Sequence, residues 1–173
     1  MLGTYLLCVS TARLCTKLKP NPERLYCKFS QQKMDIKGVS GILQKMIDHG
    51  GHDTILKKVQ IVEVKDDGTC KAELHIDQEH TNIFGTLHGG YIATLVDIIT
   101  SLALFAHPRQ GKGVSVNLNV SYLKPAKKGD DIVIEATTSK AGRTLAYLDC
   151  KIYIKQSCEL VATASHCKFI RED

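Results

Sequence analysis

The feature that most constrains how this chain folds is an apolar run over residues 91–106, in which Asp97 is the single charged residue. Residues 80–90, a polar and glycine-rich loop, lead directly into it. Sixteen helical residues are about 24 Å long, and a transmembrane span is longer and seldom carries a carboxylate. We therefore predict a core helix and no membrane insertion. Because this helix is apolar on nearly every side, other elements must enclose it.

The loop and the helix together indicate a functional site. Burying a carboxylate such as Asp97 on a core helix costs folding free energy, unless the carboxylate has a bonding partner or a role in binding or catalysis. The glycine pair Gly89 and Gly90 lies at the expected start of the helix. Glycines there allow a ligand to approach the free backbone N–H groups closely.

The remaining periodicity predicts an α+β fold. Residues 39–49 have helical spacing, with Ser40 as a candidate N-cap. Residues 59–64 and 70–76 alternate around a turn at residues 66–68 and so predict a hairpin. Strand patterns alone follow the long helix, at residues 114–122, 132–139, 144–155 and 160–170. We predict an antiparallel sheet wrapped around a long central helix.

The net charge of +5 belongs to the N-terminal region. Residues 1–33 hold six basic residues and one acid, whereas the other 140 residues hold 17 basic and 17 acidic residues. Because residues 34–173 carry no net charge, the sequence argues against nucleic-acid binding by the folded domain. The basic, acid-poor extension is typical of a mitochondrial transit peptide. The alternatives are an untargeted extension, a translation start at Met34 and, less favoured, a secretory signal.

Seven cysteines are scattered without a C-x-x-C pair, so the sequence predicts no zinc site and no redox motif. We expect reduced thiols in an intracellular compartment. The folded domain is expected to span residues 34–173. The predicted location is the mitochondrial matrix or the cytoplasm.

The chemistry-bearing motifs are specific in their spacing. The pattern N-x-x-G-x-x-H-G-G begins at Asn82 and is followed by Asp97, and G-V-S-V stands at residues 113–116. These segments resemble the active-site segments of hotdog-fold acyl-CoA thioesterases of the phenylacetate-thioesterase-like group, over residues 34–168. The resemblance implies a hotdog fold that hydrolyses acyl-CoA to a free acid and coenzyme A, without a metal or other cofactor.

Thioester hydrolysis requires a polarised carbonyl group and an activated water. The Gly89 N–H at the positive end of the helix suits a developing oxyanion. Asn82 is the candidate second contact, the alternative being an asparagine that bonds its own loop backbone. His88 is either a base or a residue that orients the glycine turn. We expect His88 to have the supporting role.

Asp97 is the candidate general base, and Ser115 is expected to hold the same water. No G-x-S-x-G elbow surrounds Ser115, so we do not expect a covalent nucleophile. Asn119 is placed on the same strand face as Ser115 and is a lesser candidate. Asp97 lies eight residues beyond Gly89, about 12 Å along the helix. If both act on one thioester, they come from different chains of a homodimer or homotetramer.

The resemblance also suggests where coenzyme A binds. Basic side chains in two segments could pair with its phosphates, although each of them alone is more readily a solvated surface charge. The candidate substrate-binding residues are Ser115, Tyr122, Leu123, Lys124, Pro125, Ala126, Lys127, Lys140, Ala141, Gly142, Arg143, Thr144 and Leu145.

Medium- to long-chain fatty acyl groups are expected by analogy, and aryl-acyl groups remain an alternative. Other functions are a hotdog hydratase or dehydratase with His88 as its base, a non-catalytic acyl-CoA sensor or carrier, and a structural partner protein. Release of free thiol from acyl-CoA distinguishes a thioesterase from all of these.

Overall fold

The computed structural model describes residues 34–109 and 113–170. The predicted extension, residues 1–33, lies outside the described residues. Two α-helices are present in the described part, α1 (Ile36–His49) and α2 (Gly89–Ala106), with 3₁₀ turns at Gly51–Leu56 and Gln78–His80. The strands are β1 (Gln60–Lys65), β2 (Thr69–His75), β3 (Gly113–Tyr122), β4 (Asp131–Ala141), β5 (Leu145–Ile154) and β6 (Leu160–Ile170).

The six strands form one sheet in the order β1-β2-β4-β5-β6-β3, and every neighbouring pair is antiparallel. The chain leaves the β1–β2 hairpin, runs through α2 and returns at the opposite edge, where β3 pairs with β6. The α+β arrangement predicted from the sequence, a long helix packed against an antiparallel sheet, is confirmed.

Helix α2 is long and apolar enough to span a membrane by length and composition alone, but 11 of its 18 residues are buried inside the fold. Leu95, Ile99 and Leu102 have no exposed surface, and the same cluster contains Ile134 and Ile152 from the sheet. The apolar run is therefore the centre of the hydrophobic core.

Helix α1 begins earlier than its apolar pattern predicts. The side chain of Asp35 accepts a hydrogen bond from the Gly38 N–H at 2.8 Å and caps the helix, so the expectation of Ser40 as N-cap is wrong. A short carboxylate before the first turn satisfies one of the free N–H groups there. The helix ends at His49, where Gly50 takes a φ of 86°.

A β-bulge in β3 decides which residues face α2. Ser115 pairs with Lys168 and Asn117 pairs with Cys167, so β3 carries one extra residue at Val116. Ser115 faces the helix before the bulge, and Leu118 and Val120 pack against the core after it. Asn119 lies between them and faces away. Its predicted placement on the same face as Ser115 is therefore wrong.

The β1–β2 turn depends on Gly68, whose φ is 86°. A Cβ atom there would lie 2.7 Å from the Thr138 Cβ. Gly68→Ala should therefore lower the free energy of unfolding by about 2–4 kcal/mol, through backbone strain and overpacking. Chemical denaturation measures this.

Gly41→Ala is the matched control, because Gly41 lies within α1 and has nothing within 4 Å of an added Cβ. Alanine there should stabilise the protein by about 0.5–1 kcal/mol. Equal stability of the two variants would contradict the role given to Gly68.

Candidate active site

The first part of the site is the N-terminal end of α2, which we call the glycine end: Asn82, His88 and Gly89. His88 is the N-cap, and its Nδ1 accepts a hydrogen bond from the Gly90 N–H at 2.9 Å. Gly89 is the first helical residue, and no acceptor among the described residues receives its N–H. The glycine end thus holds a free donor at the positive end of a long helix.

Asn82 holds the loop that precedes the helix. Its Oδ1 accepts from the Phe84 N–H at 2.9 Å and from the Thr86 N–H at 3.3 Å. Its Nδ2 donates to the Thr86 hydroxyl at 2.9 Å. Within one chain, Asn82 bonds its own loop, which was the alternative to a role on the substrate. An amide has two N–H donors, so one is left for another acceptor.

The segment predicted to bind coenzyme A, residues 122–127, lies beside the glycine end. The Tyr122 hydroxyl donates to the Gly89 carbonyl at 3.1 Å, and the Leu87 N–H donates to the buried Ala126 carbonyl at 2.8 Å. Thr86 forms a β-bridge with Lys127. Lys124 forms a salt bridge with Glu159 and so already has a partner.

The second part, which we call the acidic end, surrounds Asp97 in the middle of α2. The Ser115 hydroxyl donates to Asp97 Oδ1 at 3.1 Å, so these two predicted site residues are in contact. Lys168 Nζ lies 3.4 Å from the same oxygen. The Asp97 side chain is 42% exposed and opens into a cavity of about 400 Å³. The apolar lining of this cavity includes Ile98, Phe105 and Val114.

His166 supports Ser115 from inside the fold. Its Nε2 lies 3.0 Å from the Ser115 Oγ, and its Nδ1 lies 2.6 Å from the Thr100 Oγ1. Ser115 has one hydroxyl hydrogen, so it can donate to Asp97 only when His166 Nε2 carries the proton. In that tautomer Nδ1 is the acceptor for the Thr100 hydroxyl, which also lies 2.6 Å from the Val96 carbonyl oxygen. Burial lowers the pKa of His166 to about 4, with Lys168 adding to the effect, which keeps the ring neutral near pH 7.

Lys168 is 5% exposed, although it is a lysine. Its Nζ donates to the Ser101 hydroxyl at 2.6 Å and to the Ser115 hydroxyl at 3.4 Å. Burial lowers the pKa of its ammonium group, and the nearby Asp97 carboxylate opposes that shift. The acidic end therefore contains a buried cation, a half-exposed anion and a neutral histidine around one hydroxyl.

The second predicted coenzyme A segment lies towards the acidic end. Lys140 and Ala141 close β4, Leu145 opens β5, and Gly142, Arg143 and Thr144 form the turn between them. The Ile170 N–H donates to the Thr144 carbonyl at 2.8 Å, and Leu145 pairs with Phe169. This turn therefore adjoins the same end of β6 as Lys168.

One chain brings the predicted site residues together in two separate groups. Tyr122, beside the glycine end, closes β3, whereas Ser115 lies near its start, about 23 Å away along an extended strand. Each end has its own cavity, that of the glycine end being about 640 Å³ and lined by His88, Gly90 and Tyr91. A single chain thus holds the predicted site residues in two separate places, each with its own cavity.

His166 and Lys168 were not identified from the sequence. The signal that could have found them is the alternation of β6, which puts them on the same face as the buried residues Ala162 and Ile170. Basic side chains on a core-facing strand position need a compensating partner, which marks a candidate site.

Comparison with known proteins identifies the family. The model of the family described as thioesterase superfamily matches residues 84–161. Human acyl-coenzyme A thioesterase 13 is 39% identical over 129 residues, which cover 75% of this chain and 91% of that protein. This chain belongs to the thioesterase superfamily.

Solved structures of related thioesterases share its fold. Zebrafish thioesterase superfamily member 2 aligns with a TM-score of 0.76 and 38% identity, over 79% of this chain and 99% of that chain. A hypothetical thioesterase from Streptococcus pneumoniae, solved with coenzyme A, aligns with a TM-score of 0.61 and 27% identity, over 66% and 88%. The predicted family and hotdog fold are confirmed for this thioesterase-superfamily chain.

The neutral state of His166 predicts how stability depends on pH. The His166 ring has a pKa of about 4 in the folded chain, whereas a histidine in the unfolded chain has a pKa of about 6.5. The contribution of the neutral His166 ring to the stability of the fold is therefore complete above the pKa of the unfolded chain, and it is lost as the pH falls towards 4. In the wild type, the free energy of unfolding should fall with decreasing pH over this range because of His166. His166→Gln lacks this contribution, so its slope should be shallower by up to about 1.4 kcal/mol per pH unit.

Urea denaturation of both proteins, from neutral pH down to about 4, measures the two slopes. Glutamine keeps polar atoms beside Ser115 and Thr100 but does not titrate. Identical slopes for the wild type and the variant would show that His166 is not held neutral by the fold.

Proposed function

We propose that this protein is an acyl-CoA thioesterase that hydrolyses acyl-CoA to a free acid and coenzyme A by direct attack of water. The observation that carries the proposal is the hydrogen-bonded pair of Asp97 and Ser115, which lines a cavity. His166 and Lys168 contact the Ser115 hydroxyl from inside the fold. The free Gly89 N–H supplies the complementary group for a carbonyl oxygen. The name of the human relative and the coenzyme A in the pneumococcal structure support the substrate class.

We propose that the working unit is a homodimer, alone or within a homotetramer, in which β3 pairs with β3 of a second copy. In one chain β3 is an edge strand, and its Val114 and Val116 side chains are 72% and 60% exposed. A long edge strand with unpaired backbone groups and exposed apolar side chains is a template for pairing. Antiparallel pairing about a two-fold axis places the start of one β3 beside the end of the other.

This pairing sets the glycine end of one chain against the acidic end of the other. The carbonyl oxygen of the thioester accepts hydrogen bonds from the Gly89 N–H and the remaining Asn82 amide hydrogen. Asp97 of the second chain then faces the carbonyl carbon from the side where water attacks. The distance between the two ends within one chain, about 12 Å along α2, is what requires the second copy.

In the proposed reaction, Asp97 takes a proton from water as the water oxygen bonds to the carbonyl carbon. The resulting oxyanion is held by Gly89 and Asn82. When the carbonyl re-forms, the carbon–sulfur bond breaks, and the thiolate of coenzyme A takes up the proton from Asp97. Ser115 orients the water, and His166 fixes the direction in which the Ser115 hydroxyl donates.

Coenzyme A is proposed to lie along the same interface. Residues 122–127 of one chain and residues 140–145 of the other meet when the two β3 strands pair. Lys127, Lys140 and Arg143 are available for its phosphates, whereas Lys124 must first leave Glu159. Medium- to long-chain fatty acyl groups are the proposed substrates, with aryl-acyl groups as the alternative. The proposed location is the mitochondrial matrix or the cytoplasm.

The hydratase alternative requires His88 as the base. Its Nδ1 already accepts the Gly90 N–H, which favours a supporting role in holding the helix start. A sensor, a carrier or a structural partner protein would release no thiol, so the following experiment separates these functions.

Asp97→Asn keeps the size of the side chain and removes the base. The rate of free thiol release from acyl-CoA substrates of several chain lengths should fall by about 10²- to 10⁴-fold. Asp48→Asn, which changes an exposed carboxylate on α1, should keep the wild-type rate. No thiol release by the wild type would refute the thioesterase function, and an active Asp97→Asn protein would refute only the role of Asp97.

Gly89→Pro tests the N–H directly. Proline is accepted at the first position of a helix, and the extended backbone of His88 suits a following proline. Loss of the donor should lower kcat by about 10²- to 10³-fold. Gly89→Ala is the matched control, because it keeps the N–H and its Cβ would make an ordinary contact of 3.5 Å with the Tyr122 ring. Alanine should therefore retain much more activity than proline.

The same two inactive variants show whether the halves come from different chains. Asp97→Asn and Gly89→Pro chains carrying different tags are co-expressed, and mixed dimers are isolated with both tags. Each mixed dimer should hold one intact site and regain about half of the wild-type activity. Mixed dimers as inactive as their parents would show that each site is built from one chain.

A further inference from the structure

We propose that Lys168 is a positioning residue of this thioesterase, whose ammonium group holds Asp97 and Ser115 in the arrangement that activates water. The inference rests on the proposed function. It explains why a lysine occupies a core-facing position of β6, where an apolar side chain is the usual residue.

The contacts of Lys168 converge on the reacting groups. Its Nζ lies 2.6 Å from the Ser101 hydroxyl and 3.4 Å from both Asp97 Oδ1 and the Ser115 hydroxyl. Ser101 in turn donates to the Asp97 carbonyl at 2.6 Å, one turn earlier on α2. The ammonium group thus joins β6 to the helix at Asp97 and joins Asp97 to β3 at Ser115.

These contacts are concentrated on one oxygen of the carboxylate. Ser115 and Lys168 both donate to Asp97 Oδ1, and His166 Nε2 lies 3.7 Å from it. Among the described residues, no donor contacts Oδ2. A carboxylate fixed through one oxygen presents the other in a defined direction, and Oδ2 faces the proton of the attacking water.

Gly113 supplies an independent observation. It precedes Ser115 in the G-V-S-V segment, and a Cβ there would lie 3.0 Å from both the Cβ and the Cε of Lys168. The stem of Lys168 therefore passes directly over Gly113, and a larger residue would displace it. The motif glycine is explained by the approach of this lysine, because Gly113 is not among the residues with positive φ.

Lys168→Met removes the charge but keeps the length of the apolar stem. We expect kcat for thiol release to fall about 10- to 100-fold with little change in KM, since misplacing a catalytic group by about 1 Å has this effect. Lys168→Arg keeps a charged donor at the end of a long stem and should therefore restore much of the lost kcat.

Three further proteins make the result specific. Lys151→Met removes the same charge from the outer face of β5 and should behave as the wild type. Gly113→Ala keeps the ammonium but shifts its stem, so it should lower kcat in the same direction and keeps the test open if Lys168→Met fails to fold. In an Asp97→Asn background, Lys168→Met should cause little further loss, because Lys168 acts through Asp97.

The inference is overturned if Lys168→Met keeps the wild-type kcat, or if it slows the Asp97→Asn protein by the same factor as the wild type. Either result leaves the proposed function standing. An inactive wild type, or a fully active Asp97→Asn protein, would instead refute the proposed function itself.

Discussion

The enclosure of α2 by the antiparallel sheet is the constraint on which the rest of the structure depends. The helix is apolar on nearly all sides, so the sheet and α1 must cover it, and few positions on it can carry polar groups. Asp97 is compatible with this environment because β3 and β6 bring donors to it in the form of Ser115 and Lys168. The polar cluster therefore exists only when the helix and the far edge of the sheet have assembled.

The same helix separates the two groups that are proposed to act on one thioester. Gly89 lies at its start and Asp97 lies about two turns further on, so the two residues of one chain are too far apart to contact the same carbonyl group. Strand β3, which contacts both ends, lies at the edge of the sheet with Val114 and Val116 exposed. The proposed dimer, in which a second copy is related by a two-fold axis, would pair the exposed β3 edge and join the two separated groups of residues.

Much of this could be predicted from the sequence because each signal is local. The alternation of β1 and β2 around Gly68 and the helical run after Gly89 determine their elements without tertiary information. The bulge at Val116 could not be predicted, because no residue pattern marks it and it depends on pairing with β6. That single extra residue turned Asn119 away from the helix. His166 and Lys168 were missed for a related reason, since basic residues in a strand are normally assigned to its solvent-facing side.

Lys168 also links stability to chemistry. A lysine with 5% exposure is costly to bury, and its cost is offset by the Asp97 carboxylate and by two hydroxyl groups. Replacing Asp97 leaves this cation without its anion, so the substitution also strains the core around Lys168. Replacing Lys168 leaves a carboxylate that is already 42% exposed and can be solvated from the cavity. The lysine is therefore the better position at which to separate the electrostatics of the site from the integrity of the fold.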